Sequence, residues 1–124
     1  MAPLEELQAR VDRLESRAAI QELVTCYAVA CDEHDIPTLR NLFTEEAVFR
    51  SPSSFMQATG REAISSMFIE VLKTRGPGYH WTHDLIVNFG QDGESATGVV
   101  YSHAETTPDG VVSIAAMKYK DQYR

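Results

Sequence analysis

Two side chains in this sequence are suited by type to work together in acid–base chemistry, Asp32 and His80. A histidine with an ordinary pKa of about 6.5 can accept a proton at neutral pH, as a general base must. A carboxylate that accepts a hydrogen bond from the other ring nitrogen would hold the imidazole in the required tautomer. These residue types indicate His80 as a base that Asp32 orients.

Each candidate also fits a purely structural role. Asp32 lies near the end of a predicted helix, where the helix dipole disfavours a carboxylate by roughly a few tenths of a kcal/mol or more. It therefore needs a compensating partner or full solvation in the loop that follows. Tyr27 lies five residues earlier on an apolar stripe, where a core aromatic would bond its hydroxyl to the backbone. The local pattern leaves both interpretations open.

A metal site is the other chemistry that spacing suggests, because His80 and His83 form an H-x-x-H pair. The pair falls in a predicted strand, where positions three apart point to opposite faces. The only cysteines, Cys26 and Cys31, do not complete a closed zinc site. We therefore expect no metal. Five positions apart on one helix, the cysteines also suit a disulfide poorly, which fits a reduced, cytoplasmic protein.

Length and charge exclude several classes of partner. A chain of 124 residues fits one domain, and its net charge of −7 comes without a cluster of Lys and Arg. Nucleic-acid binding needs such a cluster, so we expect no nucleic-acid partner. No apolar run approaches the roughly 20 residues of a membrane-spanning helix, and the N-terminus lacks the pattern of a secretory signal. We expect no membrane partner.

The order of the predicted elements is helices first and strands last. Apolar spacing of three and four predicts one long helix through the first third of the chain. Asp35 is suited to cap a short second helix, and Thr59 with Glu62 has capping-box spacing before a third helix that Gly76 ends. Strands are predicted at 47–50, 79–89, 96–106 and 111–123. This order is typical of an α+β domain whose helices cover one face of an antiparallel sheet.

Two surfaces suggest contact with a second subunit. On strand 79–89 large apolar side chains that include Trp81 and Val87 share one parity, while His80 and Thr82 share the other. One apolar sheet face then needs a cover, which predicts a homodimer or homotrimer. Near the N-terminus a narrow helical stripe is either an arm on a partner subunit or a cap on the domain's own core. Its members are Leu4, Leu7, Val11 and Leu14.

Several stretches, taken in order, resemble one family. They are 18–23 (AAIQEL), 42–49 (LFTEEAVF), 60–64 (GREAI) and 80–87 (HWTHDLIV). This order resembles SnoaL-like proteins of the nuclear transport factor 2-like superfamily, and within it the branch of scytalone dehydratase and bile-acid 7α-dehydratase. The resemblance implies one domain over residues 1–124. It also implies a cone-shaped α+β barrel, in which the N-terminal helices wrap a curved antiparallel sheet around an apolar pocket.

The resemblance also assigns roles. In that branch a Tyr and an Asp at the end of the first long helix and a His on the first long strand serve an elimination, and Tyr27, Asp32 and His80 fall on those places. Hexachlorocyclohexane dehydrochlorinase is similar in pairing Asp with His for proton abstraction. The resemblance implies a cofactor-independent lyase (dehydratase-like) or isomerase acting on a small, mostly apolar cyclic molecule, with Tyr27 as hydrogen-bond donor. The alternative is a non-catalytic ligand-binding or assembly module, because the superfamily contains both.

Two features depart from the family pattern. An acidic residue or His that the dehydratases carry on the next strand aligns closer to Ala104 than to His103, and a shift of one residue turns a strand side chain to the other face. The family also continues past Arg124, so we expect the chain to lack the final strand or tail.

Aromatic residues and methionines either line the pocket or fill the core. The predicted substrate-binding residues are Phe49, Met56, Trp81, Tyr101 and His103, with Phe55 as a further candidate.

Overall fold

The computed structural model describes residues 2–52 and 56–124, so Phe55 lies outside the described residues. Two helices, two short strands and a third helix precede three long strands in this part of the chain. The elements are α1 (Pro3–Asp32), α2 (Ile36–Asn41), β1 (Val48–Arg50), β2 (Gln57–Thr59), α3 (Arg61–Arg75), β3 (Tyr79–Phe89), β4 (Ala96–Thr106) and β5 (Ser113–Tyr123), with a 3-10 turn at Pro108–Gly110. No helix in the described ranges combines the length and the apolar character that crossing a membrane requires.

Helix α1 has two halves with different environments. Its C-terminal half buries Val24, Ala28 and Cys31 against the rest of the domain, and it packs along β3. Its N-terminal half is exposed, including Leu4 and Leu14 of the predicted apolar stripe. The stripe therefore does not cap the core of its own domain.

The helix starts follow the sequence prediction in one case and depart from it in the other. Asp35 caps α2 as predicted, because its carboxylate accepts hydrogen bonds from the Thr38 amide at 3.2 Å and the Thr38 hydroxyl at 2.6 Å. The capping box at Thr59 was wrong. Thr59 pairs with Val48 in the β1–β2 hairpin, a strand pair that the sequence prediction missed, and Gly60 takes the cap position with φ of 91°.

The long strands form an antiparallel sheet in the order β3-β4-β5. Strand β3 carries one residue more than its partner between two pairs: Thr82 lies opposite Ser102, and Leu85 lies opposite Val100. Two residues of β3 therefore face one residue of β4, which is a β-bulge. Strands β4 and β5 pair without interruption along their whole length.

The bulge changes which side chains of β3 share a face. His80 and Thr82 lie on the same face as Val87, which is buried on the helix side of the sheet. Strict alternation would have put Trp81 with Val87 and turned His80 away, so that part of the sequence prediction was wrong. The extra residue shifts the parity by one and brings His80 inside.

The core lies between the helices and the inner face of the sheet. Phe68 of α3 is almost fully buried and contacts the rings of Tyr27, Phe43 and Phe49 at centroid distances of 6.1, 6.3 and 5.4 Å. Most of these rings meet edge to face, as aromatic pairs prefer. This aromatic cluster fills the space beneath the C-terminal half of α1, and the whole is the α+β cone that the resemblance implied.

Candidate active site

The carboxylate of Asp32 makes two hydrogen bonds to one residue, His80. Its Oδ1 lies 2.7 Å from the ring Nδ1, and its Oδ2 accepts the backbone N–H of His80 at 3.1 Å. A carboxylate only accepts hydrogen bonds, so the ring nitrogen at this contact carries the hydrogen. Both side chains are shielded from solvent, with 6% of His80 and 17% of Asp32 exposed.

The two residues meet because of where their elements begin and end. Asp32 is the last residue of α1, and His80 is the second residue of β3, which α1 packs against. The helix dipole disfavours a carboxylate at the end of α1, and the two donors of His80 supply the compensation that the sequence required. The loop interpretation of Asp32 is thereby ruled out.

The second ring nitrogen of His80 is the one left for chemistry. Within residues 2–52 and 56–124, no group bonds to Nε2, and no buried side-chain nitrogen or oxygen there lacks a partner. Nε2 is therefore not completely enclosed by the core. In a neutral ring, a hydrogen on Nδ1 leaves Nε2 as the acceptor, which is the tautomer that a general base needs.

Tyr27 lies in the aromatic cluster one helical turn before Cys31. Its ring meets that of Tyr119 on β5 edge to face, with centroids 6.1 Å apart. Burial first, and then the neighbouring Cys31 and Tyr119, raise the pKa of Tyr27 well above its usual value. The phenol is therefore protonated at neutral pH, and its hydroxyl shares a hydrogen bond with the side chain of Cys31. Burial also raises the pKa of Cys31 to about 11, which keeps it a thiol and not a nucleophile.

Tyr119 and Ser102 are interior polar residues that sequence reasoning missed. Ser102 is buried beside the bulge, and its hydroxyl donates to the carbonyl of Trp81 at 2.7 Å. Burial raises the pKa of Tyr119, while a hydrogen bond with Ser102 opposes that shift. The sequence of β5 contains a signal for Tyr119. Tyr119 and Asp121 alternate with lysines, which predicts that the two residues share the inner face of the sheet.

Asp121 is a second carboxylate on the inner face. The hydroxyl of Tyr123 donates to its Oδ2 at 2.9 Å. Burial raises the pKa of Asp121, and the bond from Tyr123 counteracts part of the shift. This pair lies opposite Gly98 and Ala96 of β4, toward the other end of the sheet from His80, which pairs with Ala104.

The predicted substrate-binding residues divide between the two sides of the sheet. Phe49 and Met56 are half-buried and pack against the core cluster on the side of Tyr27. The structure does not bring Trp81, Tyr101 and His103 to this side, because they occupy the positions of β3 and β4 that alternate with the buried ones.

The outer side carries its own cluster. His103 stacks between Trp81, at a centroid distance of 4.7 Å, and His83, at 5.2 Å. Nδ1 of His103 lies 3.0 Å from Nε2 of His83. His80 and His83 therefore lie on opposite faces, as the strand interpretation predicted. Among the described residues no group of three His, Cys, Asp or Glu is placed to hold a metal ion.

The chemistry that this arrangement allows is proton transfer by an oriented imidazole. Asp32 fixes the ring and would stabilise an imidazolium if Nε2 took a proton. Tyr27 and Tyr119 supply protonated phenols in the same interior. A positioned base of this kind contributes about 10²–10⁴-fold to a reaction rate.

Comparison with known proteins identifies the family. The profile of the SnoaL-like domain matches residues 12–124, and a search of curated protein sequences returned no match. Among solved structures, the chain is similar to a hexachlorocyclohexane dehydrochlorinase (LinA) of type 2, with 21% identity over 93% of this chain and 79% of that one and a TM-score of 0.84. Two proteins from Novosphingobium aromaticivorans are also similar.

One of these two is assigned as an aromatic ring hydroxylase, with 28% identity over 88% of this chain and 78% of that one and a TM-score of 0.80. The other is assigned as a scytalone dehydratase, with 21% identity over 91% of this chain and 76% of that one and a TM-score of 0.79. At such identities the likeness of the first and the third shows the fold alone. Together with the profile match over nearly its whole length, this places the chain in the SnoaL-like family of the nuclear transport factor 2-like superfamily.

Proposed function

We propose that this protein is a cofactor-independent lyase or isomerase in which His80 removes a proton from a small, mostly apolar cyclic substrate. The observation that carries the proposal is the 2.7 Å contact between His80 Nδ1 and Asp32 Oδ1, with Nε2 of the same ring unpaired among the described residues. A lone core histidine would not need a buried carboxylate on one nitrogen and access on the other.

In an elimination, Nε2 of His80 takes the proton from a carbon next to an electron-withdrawing group. The electron pair of the broken C–H bond forms the new double bond, and the leaving group departs with its own pair. Tyr27 donates a hydrogen bond to the leaving hydroxyl or to the developing oxyanion, and the imidazolium is stabilised by Asp32. In an isomerisation the same His80 would return the proton to a different carbon.

The proposed substrate class rests on the side chains of the domain's interior. Aromatic rings dominate the core cluster and buried polar side chains are few among the described residues, as is typical of proteins that bind apolar molecules. The dehydrochlorinase and the protein assigned as a scytalone dehydratase, both similar in fold, lend support to an elimination on a ring. Phe49 and Met56 are the proposed contacts to the apolar part of the substrate.

The test uses two histidines of the same strand. The wild type, His80→Ala and His83→Ala are incubated in D2O with a panel of cyclic ketones and cyclic β-hydroxy ketones, and NMR follows deuterium uptake and loss of water. We expect His80→Ala to lower the best wild-type rate by at least about a hundredfold. His83→Ala, altered on the outer face, should stay within twofold or so of the wild type. A His80→Ala rate close to that of the wild type would refute the assignment.

The exposed outer face of the sheet favours a second function, assembly. Tyr79 and Ile114 lie at one end of this face, opposite the same residue of β4, with 65% and 71% of their surface exposed, and Ile86 lies farther along with 63% exposed. Large apolar side chains exposed on one sheet face are typical of a protein interface. We propose that this face is covered in a homodimer or homotrimer. Light scattering on Ile114→Glu and on the wild type tests this: an unchanged mass, or a monomeric wild type at micromolar concentration, contradicts it.

A further inference from the structure

The N-terminal arm, which we define as residues 3–17 of α1, carries a pattern that its own domain does not use. Its apolar side chains are spaced by three, four and three residues, as are the a and d positions of a coiled coil. They remain 38–77% exposed. These side chains are Leu4, Leu7, Val11 and Leu14.

The stripe faces away from the core of the domain. At 100° per residue, its centre lies about 130° around the helix from the centre of the buried face that includes Val24, Ala28 and Cys31. No rotation of the helix would turn both faces toward the domain at once. The apolar stripe of the arm therefore needs a different partner.

The charged residues beside the stripe indicate what this partner is. With Leu4 and Val11 at a positions, Arg10 occupies a g position and Glu15 the next e position. Neither has an ion-pair partner in the chain within the described residues. In a parallel pair of identical helices, each g residue faces the e residue five positions later in the other helix, so Arg10 meets an acid. An antiparallel pair would bring g beside g, and hence Arg10 beside a second Arg10.

We propose that the N-terminal arm forms a parallel coiled coil with the arm of a second copy of this chain. Leu7 and Leu14 then lie in the seam, and Arg10 of each protomer faces Glu15 of its partner. Two heptads alone would be marginal as an isolated helix. Here the helix continues into a buried segment of α1, so its nucleation is already provided by the folded domain.

The charges give the first test. Arg10→Glu and Glu15→Arg each place like charges across the seam, and each should weaken self-association in sedimentation equilibrium by about tenfold or more. An equimolar mixture of the two variants restores both opposite pairs and should recover the wild-type association. Arg17 is left unchanged, because its guanidinium lies over the ring of Phe89 at 5.2 Å. If the single variants associate as the wild type does, or if the mixture fails to recover, the proposal is overturned.

A cysteine cross-link tests the orientation independently. In a Cys26→Ser background, Leu7→Cys puts identical d positions face to face in a parallel pair, whereas Glu6→Cys lies off the seam on the same turn. Under mild oxidation we expect Leu7→Cys to form a disulfide-linked dimer at least about tenfold faster than Glu6→Cys. Equal rates, or a monomeric chain, would show that the arm has some other partner or none. None of these variants changes His80, so their proton-transfer activity is assayed separately. The coiled coil of the arm and the proposed enzymatic function can therefore each fail without the other.

Discussion

Asp32 holds His80 at two points, through the ring Nδ1 at 2.7 Å and the backbone N–H at 3.1 Å, although 48 positions separate them in the chain. The second bond fixes the start of β3 against the end of α1, and the first fixes the imidazole on that strand. Orientation of the imidazole and attachment of the strand therefore depend on the same carboxylate. A change that keeps the shape of Asp32 but removes its charge separates these two roles.

Asp32→Asn is that change. The amide keeps an acceptor for the backbone N–H, but it cannot stabilise an imidazolium and is free to present a donor to the ring, which favours the wrong tautomer. We expect kcat to fall by about a hundredfold or more while the melting temperature changes by only a few degrees. Glu33→Gln, an exposed carboxylate at the next position, is the matched control and should leave kcat unchanged. Full activity in Asp32→Asn would mean that the dyad is structural.

Tyr27→Phe removes a donor and keeps the ring in the aromatic cluster. Loss of one donor to a developing oxyanion costs about 10²-fold or more in comparable sites, so kcat should fall by about a hundredfold with the fold intact. Tyr79→Phe, on the outer face, should behave as the wild type.

The raised pKa of Tyr27 also predicts the pH profile. A raised pKa keeps the phenol protonated through the ordinary tyrosine pKa of about 10, so kcat/KM should not decline near that pH because of this group. An alkaline limb with a midpoint below 10 that disappears in Tyr27→Phe would contradict this prediction.

Much of the architecture could be predicted because local signals agreed with tertiary packing. The periodicity of α1, the cap at Asp35 and the glycine that ends α3 are determined by residues close in sequence, and each was found as predicted. The pairing of Asp32 with His80 needed the family resemblance as well. Nothing local links the end of a helix to a strand 48 positions away.

The errors came from features in which tertiary pairing overrides local pattern. Thr59 fits a capping box, but the β1–β2 hairpin takes it as a strand residue, and the short β2 has too few residues to show alternation. No glycine or other turn residue in β3 marks the bulge in the sequence. A prediction from strict alternation therefore placed Trp81 on the inner face. On β5, Tyr119 alternates with Lys118 and Lys120, and this parity alone places it on the inner face.

Asp121→Asn tests the inner carboxylate through stability. Burial raises the pKa of Asp121 in the folded state, so the folded protein binds a proton more tightly than the unfolded chain does. The favourable contribution of the protonated form is complete below the ordinary Asp pKa of about 3.9, and it is lost as the pH rises through the folded value. The variant cannot ionise, so its melting temperature relative to the wild type should be higher at pH 7 than at pH 3.5.

The control for that measurement is Asp109→Asn. Asp109 is exposed in the turn before β5, with φ of 52°, a conformation that asparagine also tolerates. Its melting temperature relative to the wild type should depend little on pH. If the melting temperature of Asp121→Asn relative to the wild type is as independent of pH as that of this control, the prediction is contradicted. The carboxylate of Asp121 would then ionise as freely in the folded protein as in the unfolded chain.

Deletion of Asp84 tests whether the bulge places the base. It leaves one residue of β3 opposite one of β4 between Thr82 and Leu85, and the strand then alternates without interruption. Because Val87 and Leu72 are buried in the core, the second half of β3 should keep its face, and the first half should turn His80 outward. We expect activity to be lost by about a hundredfold or more while cooperative unfolding is retained. Asp84→Ala keeps the residue count and should preserve activity. If the deletion variant folds and stays active, the bulge does not determine the position of His80.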